Sequence, residues 1–366
     1  MINYNCKKGV SVIVCCYNSA KRLSITLEHL TNQKASNISW EVILVDNAST
    51  DDTILVAQEI WSDCKSSIPF KIVFERRQGL SYAREQGLEN AQYGYAIFCD
   101  DDNWLAEDYV QRSFDIMNSD AQIGIAGGIC NAAFETAVPE WFDKHKGYYA
   151  VGKQFDDTGD ITHTREYLWG AGMILRKFVW LELKKMGFQS ILSDRKGKSL
   201  SSGGDTEMCM VFRQAGYKIY YDESLNLQHF IPAPRLTWSY LAKLHKSSAR
   251  SVPYFQMYWY IGKYVDGQYV IRRDVWWRDQ LKIVFIELSK LMDEGSFSKQ
   301  LYKFYCISKS NDQDEFNIEY GKLLSRLGEI ITLFLSHKKL LNAIERLFLD
   351  IKDKPLTGKK LFHETA

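Results

Sequence analysis

Short apolar runs alternate with amphipathic stretches through the first half of the chain. The runs at 10–16, 41–46 and 95–100 are dominated by apolar and β-branched residues, a composition typical of buried parallel strands. After the first run, Leu23 and Leu27 recur at helical spacing. Strands that alternate with helices predict an α/β fold, in which helices flank a mostly parallel central sheet and right-handed crossovers join the strands.

The pattern changes at Pro232, beyond which long aromatic and basic faces replace the alternation. Stretches such as 254–260 and 330–348 predict helices in this part of the chain. We therefore expect an α/β domain over residues 1–231 and a mainly α-helical C-terminal region over residues 232–366.

The two regions also differ in charge. Residues 1–230 carry 24 Lys and Arg against 30 Asp and Glu, whereas the remaining residues carry 22 against 15. An acidic N-terminal region and a basic C-terminal region indicate that the two regions bind different partners. The aromatic, basic helices could contact an anionic membrane surface, form a homodimer interface or simply cap the first domain, and the sequence leaves all three open.

Carboxylates follow two of the predicted strands. Asp46 ends one of them, and Asp100, Asp101 and Asp102 end another. Because the carboxyl ends of parallel strands meet at one edge of a sheet, we expect these residues to be neighbours. Adjacent carboxylates repel one another, and a divalent cation with oxygen ligands relieves that repulsion. The run therefore indicates a Mg²⁺ or Mn²⁺ site that neutralises a diphosphate, with Arg84 adding positive charge, although a solvated acidic turn is the simpler alternative.

A second carboxylate of interest is Asp205, which opens a predicted helix after a long polar loop over residues 193–204. Loops of that length are usually functional or disordered. A carboxylate at the end of such a loop is a candidate general base. The alternative is an ordinary helix N-cap.

Missing motifs exclude several common classes of site. No P-loop, glycine-rich dinucleotide turn or GxSxG elbow is present. The eight cysteines contain no CxxC pair, which argues against a zinc ribbon and indicates a reducing compartment. With no signal region and no run of about 18 apolar residues, we expect a cytoplasmic protein without a transmembrane helix. Nucleic-acid binding is not expected, because the predicted ligand crevice is acidic.

Six motifs, taken together and in order, resemble the family 2 glycosyltransferases, which are inverting nucleotide-sugar enzymes of the GT-A fold. The resemblance extends over roughly residues 8–232. The motifs are Val12-Ile13-Val14-Cys15-Cys16-Tyr17-Asn18, Val45-Asp46-Asn47-Ala48-Ser49-Thr50-Asp51-Asp52-Thr53, Gly79-Leu80-Ser81-Tyr82-Ala83-Arg84, Phe98-Cys99-Asp100-Asp101-Asp102, Gly170-Ala171-Gly172-Met173, and Gly204-Asp205-Thr206-Glu207 with Gly216-Tyr217-Lys218-Ile219-Tyr220.

The resemblance implies a role for several residues. Asp46 would contact the nucleotide base, and Tyr17 would line its pocket. Asp102 would coordinate the metal, with His229 completing the metal site as in some family members. Asp205 would be the catalytic base.

Arg84, Asp100 and Asp101 are also expected to bind the nucleotide sugar. By the resemblance, Asp100 would reach the ribose or the metal shell.

The sequence departs from the family pattern beside this base. Family members usually have Glu-Asp here, whereas this chain has Gly204 before its aspartate. The departure concerns the acceptor contacts more than the chemistry. Trp169 and Gly204 are therefore treated as acceptor or loop positions, as is Glu207, which is also an alternative base.

The resemblance implies a metal-dependent glycosyltransferase that moves a sugar from a nucleoside diphosphate sugar to an acceptor hydroxyl with inversion. UDP is the default nucleotide, with GDP and dTDP as alternatives, and the acceptor would be a glycan or a lipid-linked molecule of surface polysaccharide biosynthesis. Two other readings stay open. One is a nucleotide-sugar or carbohydrate binding protein with impaired catalysis, and the other is a sugar-phosphate nucleotidyltransferase, which the absence of glycine at residues 17–21 disfavours.

Overall fold

The computed structural model describes residues 6–192, 194–195, 202–265, 268–271, 276–292, 315–333 and 336–356. Its strands and helices alternate in the first half of the chain, as predicted. The strands are β1 (Lys7–Cys16), β2 (Trp40–Asp46), β3 (Phe70–Phe74), β4 (Tyr93–Asp100), β5 (Asn103–Leu105), β6 (Ile123–Phe134), β7 (Gly159–Asp160), β8 (Ile174–Arg176), β9 (Lys218–Ile231), β10 (Ile261–Val265) and β11 (Gln268–Ile271). The helices are α1 (Leu23–Thr31), α2 (Thr53–Asp63), α3 (Leu80–Asn90), α4 (Tyr109–Ser119), α5 (Phe142–His145), α6 (Lys177–Lys185), α7 (Gly204–Gln214), α8 (Trp238–Tyr260), α9 (Trp276–Met292), α10 (Glu315–Leu333) and α11 (His337–Asp353).

In the part of the chain that the structure describes, nine strands form one sheet in the order β3-β2-β1-β4-β8-β6-β9-β5, with β7 paired to β9. Strands β1 to β4 are mutually parallel, and β8 enters antiparallel between β4 and β6. In this register Asp46 lies opposite Cys16 and Asp100 lies opposite Cys15. The predicted proximity of the two strand ends is therefore confirmed, because each carboxylate flanks the last residues of the same central strand.

Helices cover both faces of the sheet, which explains why its central strands are apolar throughout. Ile13 and Phe98 belong to the hydrophobic cluster on one face, whereas Val12 and Ile97 belong to the cluster on the other. Leu27 of α1 packs in the second cluster. A strand that is buried on both sides needs apolar residues at consecutive positions, and this is the pattern that predicted the α/β class.

The late strands differ from the prediction in their bounds. The apolar residues within 217–221 and 225–229 predict two short strands, but β9 runs without interruption from Lys218 to Ile231. Strand β6 pairs with it on both sides of the polar residues 222–224, and an irregular register there accommodates the extra residues. This irregular pairing requires a glycine at residue 128, because a Cβ there would lie 1.9 Å from the carbonyl oxygen of Leu225.

The C-terminal region packs against the α/β part of the chain. Trp276, Leu341 and Phe348 belong to the same hydrophobic cluster as Ile13. The hydroxyl of Tyr217 also donates to the carbonyl oxygen of residue 356 at 3.0 Å. These contacts fit a capping role, while the boundary near residue 231 stays a prediction.

Two details of the helical prediction were wrong. Residues 261–271 contain the antiparallel pair β10 and β11, and the sequence Asp266-Gly267 between them is a hairpin signal that the aromatic pattern concealed. The stretch 330–348 belongs to two helices, since α10 ends at Leu333 and α11 begins at His337. Among the described helices, none has the length and the apolar character that crossing a membrane requires.

Candidate active site

A cavity of about 310 Å³ opens at the carboxyl edge of the sheet. It lies where β1 and β4 end and where the loop after β3 passes, which is the usual ligand position in an open α/β sheet. Its walls combine aromatic, acidic and basic side chains from distant parts of the chain. They are Cys15, Cys16, Tyr17, Arg22, Asn47, Gln78, Gly79, Leu80, Ala83, Asp100, Asp101, Asp102, Arg195, Arg235 and Tyr240.

Asp46 and Tyr17 lie at the β1–β2 side of this edge. The Asp46 side chain is buried, and its Oδ1 has no hydrogen-bond partner among the described residues. Buried carboxylate oxygens are normally satisfied, so this one has an unfilled place for a donor. Tyr17 lines the cavity, and its hydroxyl accepts a 3.4 Å hydrogen bond from the side chain of Gln78.

Asn47 shapes the same wall, although the sequence prediction gave it no role of its own. Its Nδ2 donates to the carbonyl oxygens of Glu75 and Arg77 at 3.1 and 2.8 Å. Its Oδ1 accepts from the backbone N–H of Gly79 at 2.7 Å. One side chain therefore holds the loop that leads from β3 into α3 against the cavity. An asparagine directly after a strand-end aspartate was the available signal.

Asp101 lines the cavity, but its carboxylate is already paired within the protein. Its carboxylate accepts from the Ser19 hydroxyl and pairs with Arg22 at 2.6 Å, and its backbone oxygen accepts from Thr26 at 2.9 Å. Burial and the neighbouring Asp102 raise the pKa of Asp101, and Arg22 opposes that shift. The arrangement supports a role in holding the turn after β1 more directly than the predicted contact with the donor.

Asp102 and His229 come together because β5 pairs with β9. Residue 103 lies opposite His229 in that pair, and the His229 Nε2 is 3.6 Å from Asp102 Oδ1. The ring Nδ1 lies 2.8 Å from the carbonyl oxygen of Tyr149, which can only accept, so Nδ1 carries a proton and Nε2 is the ring nitrogen that faces Asp102. A backbone carbonyl on the far ring nitrogen is the usual support of a metal-binding histidine.

Arg235 completes this group from the short 3-10 turn Ala233–Arg235 that follows β9. Its Nη1 donates to Asp102 Oδ2 at 2.8 Å and lies 3.5 Å from His229 Nε2. Burial acts to raise the pKa of Asp102, but Arg235 and His229 outweigh it and hold that pKa well below its usual range. The sequence prediction missed Arg235, whose only signal was a basic residue shortly after the predicted metal histidine.

The donor set fits a divalent cation only in part. Asp102 Oδ1 and His229 Nε2 face each other across 3.6 Å, a separation that one metal ion could bridge. Within the described residues, however, no group of three or more His, Cys, Asp and Glu side chains is arranged to hold a metal. Two protein ligands with the remainder from a bound diphosphate would suit Mg²⁺ or Mn²⁺, which usually keep few protein ligands.

Arg84 lies between Asp100 at the end of β4 and Asp194 in the loop before α7. Its buried guanidinium lies 4.0 Å from Asp100 Oδ1 and 3.3 Å from Asp194 Oδ2, over the face of Phe98. Burial lowers the pKa of Arg84, but Asp194 and Asp100 reverse the effect and keep the side chain charged. From the sequence, Asp194 could be placed only in the polar loop 193–204. The structure describes this loop at residues 194–195 and 202–204.

Asp205 lies next to this arginine at the start of α7. Its Oδ2 accepts from the backbone N–H of Gly170 at 2.8 Å, and its Oδ1 accepts from that of Thr206 at 2.7 Å. A Cβ on Gly170 would lie 2.5 Å from Arg84 Nη2, so a glycine is needed for the three groups to approach. Trp169, the preceding residue, is half-buried and donates its N–H to Gln154 at 2.7 Å.

Glu207 has a different environment. It is buried, and its carboxylate accepts from the Ser190 hydroxyl, from the N–H of Ile191 at 2.9 Å and from the Tyr258 hydroxyl at 2.5 Å. These contacts join α7 to the 190–192 segment and to α8. Burial raises the pKa of Glu207, but both of its oxygens already accept from buried donors of the protein, which supports a structural role over the predicted alternative as a base.

Comparison with known families identifies part of this chain. Residues 11–180 match the family model described as glycosyl transferase family 2. This segment is a family 2 glycosyltransferase domain. The match includes the strand ends at Asp46 and Asp100–Asp102, and Asp205 and His229 lie beyond it.

Relatives and one solved structure agree with the family and the fold. EpsH of Bacillus subtilis is 32% identical over 127 residues, which are 35% of this chain and 34% of EpsH. The chondroitin synthase of Escherichia coli is 31% identical over 121 residues, which are 32% of this chain and 17% of that enzyme. The matched part thus spans about a third of the length of EpsH and 17% of the length of the chondroitin synthase. A mannosyltransferase of Pyrobaculum calidifontis, solved with GDP-mannose and Mn²⁺, has a TM-score of 0.53 at 14% identity, covers 89% of this chain and 88% of its own, and shows the shared GT-A fold.

Proposed function

We propose that this protein transfers a sugar from a nucleoside diphosphate sugar to an acceptor hydroxyl with inversion at the anomeric carbon. The observation that carries the proposal is the cavity at the sheet edge, where Tyr17, Asp100 and Asp102 meet beside an Asp46 oxygen that has no partner among the described residues. Aromatic and acidic groups at one end suit a nucleoside, and cationic groups at the other suit a diphosphate.

The base of the nucleotide would lie against Tyr17 and donate an N–H to Asp46. Asp46 Oδ1 is buried without a described partner, which is the state expected of an oxygen that a ligand satisfies. The ribose and diphosphate would then extend along Asp100 toward Asp102. Arg84 and Arg235 supply positive charge on that path.

Asp102 and His229 are the residues that would hold a divalent cation. When bound, such an ion would stabilise negative charge on the departing diphosphate. The Pyrobaculum calidifontis enzyme, which was solved with Mn²⁺, shares only the fold with this chain, so this part rests on the two facing side chains.

Asp205 is the proposed general base. It removes the proton from the acceptor hydroxyl while that oxygen forms a bond to the anomeric carbon. The bond from the anomeric carbon to the diphosphate oxygen breaks in the same step, and the nucleoside diphosphate leaves with the electron pair. Two backbone N–H groups orient the carboxylate, and Arg84 lies between it and the strand end.

The acceptor is proposed to be a glycan or a lipid-linked molecule in surface polysaccharide biosynthesis. The similarity to the chondroitin synthase of Escherichia coli supports this choice. A cytoplasmic location with peripheral membrane contact stays a prediction.

Donor binding and donor hydrolysis test the proposal without knowledge of the acceptor. The purified protein is titrated with UDP, GDP and dTDP, each with and without Mn²⁺, and sugar nucleotides of the class that binds are then assayed for release of the diphosphate. We expect one nucleotide to bind, and Asp46→Asn to weaken it by about tenfold, as loss of one charged hydrogen bond does. Asp115→Asn, at an exposed aspartate of α4, is the control.

Binding with hydrolysis supports a transferase. Binding without hydrolysis, even with a panel of glycan acceptors, would favour the alternative of a nucleotide-sugar binding protein. No binding of any nucleotide would contradict the proposal.

A further inference from the structure

Arg235 lies where the proposed metal site should be open. Its Nη1 is bonded to Asp102 Oδ2 at 2.8 Å and lies 3.5 Å from His229 Nε2. Those are the two side chains that face each other across 3.6 Å and would hold the cation. One guanidinium therefore already satisfies both groups with a single positive charge.

A divalent cation and this guanidinium exclude each other by charge as well as by space. Metal–oxygen and metal–nitrogen bonds are about 2.0–2.2 Å long, so an ion held by Asp102 Oδ1 and His229 Nε2 would lie close to Arg235 Nη1, which is 3.5 Å from that nitrogen. Two cations in a buried site repel strongly, because the screening there is weak. In the geometry described, the charge of Arg235 therefore opposes the binding of an ion to Asp102.

The backbone of Arg235 is anchored, whereas its side chain has room to turn. Its N–H donates to Pro232 O at 2.9 Å, and its carbonyl oxygen accepts from the Tyr149 hydroxyl at 2.9 Å. The guanidinium lies on the wall of the cavity, beside Tyr240 and Asp102. A rotation of the side chain about a fixed backbone would carry it from Asp102 to the oxygens of a bound diphosphate.

We infer that Arg235 competes with the divalent cation for Asp102 and, once cation and donor are bound, turns to hold the diphosphate of the donor. The inference rests on the proposed function, because it assigns a role within the same donor site. It makes metal binding weak in the free protein and strong with the donor present, since the diphosphate provides the arginine with another anionic partner. Loss of the departing diphosphate returns Arg235 to Asp102.

Metal affinity measured without any turnover tests the first half. Mn²⁺ is titrated into the nucleotide-free protein, and the free ion is followed by its electron paramagnetic resonance signal. We expect Arg235→Gln to bind Mn²⁺ about tenfold more tightly than the wild type, because a competing buried charge has been removed. Arg22→Gln is the matched control, since Arg22 lines the same cavity but pairs with Asp101. An equal gain in both variants, or none in Arg235→Gln, would overturn the competition.

Nucleotide affinity tests the second half. In the presence of Mn²⁺, Arg235→Gln should bind the nucleoside diphosphate about tenfold more weakly and the nucleoside alone as well as the wild type does, because only the diphosphate contact is lost. An unchanged diphosphate affinity would overturn that half. Thermal unfolding of each variant identifies loss of the fold, and Arg235→Lys, which keeps the charge, provides a second variant with an intermediate expected effect.

The outcomes separate this inference from the proposed function. The nucleoside diphosphate could bind and the sugar nucleotide could be hydrolysed while neither the wild type nor Arg235→Gln binds Mn²⁺, with or without nucleotide. In that case the proposed transferase function stands, and the competition between Arg235 and the cation is overturned. If no nucleotide binds to the wild type, the proposed function itself has failed.

Discussion

The carboxylate of Asp194 lies in the space that a side chain on residue 204 would need. A Cβ built on Gly204 would be 2.5 Å from Asp194 Oδ2. The same oxygen accepts from Arg84 at 3.3 Å, so the acid is held between an arginine and the first residue of α7. The sequence has a glycine where the resembling family has a glutamate, and the structure places another acidic side chain beside that glycine.

A methyl group on residue 204 is expected to disturb the site. Gly204→Ala should lower the free energy of unfolding by about 1–3 kcal/mol, the usual effect of overpacking, and should weaken donor hydrolysis by displacing Asp194 from Arg84. Urea unfolding and the hydrolysis assay measure the two effects. In an Asp194→Ala background the stability loss from Gly204→Ala should largely disappear, because the clashing oxygen is gone. An equal loss in both backgrounds would contradict the packing relationship.

Asp194 should also make stability depend on pH. Burial raises the pKa of Asp194 to about 6, Arg84 and Arg195 oppose the shift, Asp205 adds to it, and the Gly204 N–H lowers it. Because the pKa is higher in the folded than in the unfolded state, where it is about 3.9, the native protein binds the extra proton. The stabilisation is complete below about pH 4 and is lost as the pH rises through about 6.

The difference in stability between Asp194→Asn and the wild type isolates this effect. It should shift by roughly 2–3 kcal/mol in favour of the variant between pH 4 and pH 7. Urea unfolding across that range measures it, with Asp115→Asn as the exposed control. A difference that stays constant with pH would show that Asp194 does not titrate in this window.

The two carboxylates at the start of α7 should respond oppositely to substitution. Asp205→Asn should lower the turnover of donor and acceptor by roughly 10²–10⁴ with little effect on donor affinity, because it removes a general base. Glu207→Ala should lower the free energy of unfolding by about 2–4 kcal/mol, because buried donors on Ser190, Ile191 and Tyr258 lose their acceptor. Near wild-type turnover in Asp205→Asn, with normal donor binding, would reassign the base.

Among the described residues, the exposed face of α9 is one part of the C-terminal region that suits a membrane surface. Trp277 and Leu281 are 38% and 44% exposed, and the basic residues Arg278 and Lys282 lie beside them and are also exposed. We expect the double variant Trp277→Ser and Leu281→Ser to float less with anionic liposomes than the wild type does. Leu55→Ser, at an exposed leucine of α2, is the control. Equal flotation of all three proteins would count against membrane contact through this helix.

Some of the site follows from local sequence. An apolar run that ends in a carboxylate specifies a buried strand and a polar strand end, so Asp46 and Asp100 could be predicted as neighbours before their distance was known. Gly204 could likewise be recognised as a departure from the family pattern. These inferences need only the period of a strand and the topology of a parallel sheet.

Other parts of the site depend on chain segments that meet only after folding. Asp102 and Arg235 are separated by 133 residues and meet because β9 pairs with β5 and then turns back over the cavity. Asp194 and Arg84 are separated by 110 residues and meet because the segment before α7 packs over α3. Which of several polar residues turns inward is decided by the partner charge that it finds there, and no local pattern encodes that partner. The sequence therefore determined the fold class, the strand-end carboxylates and the family, whereas the tertiary structure decided which arginine holds Asp102 and which acid replaces the missing side chain beside Asp205.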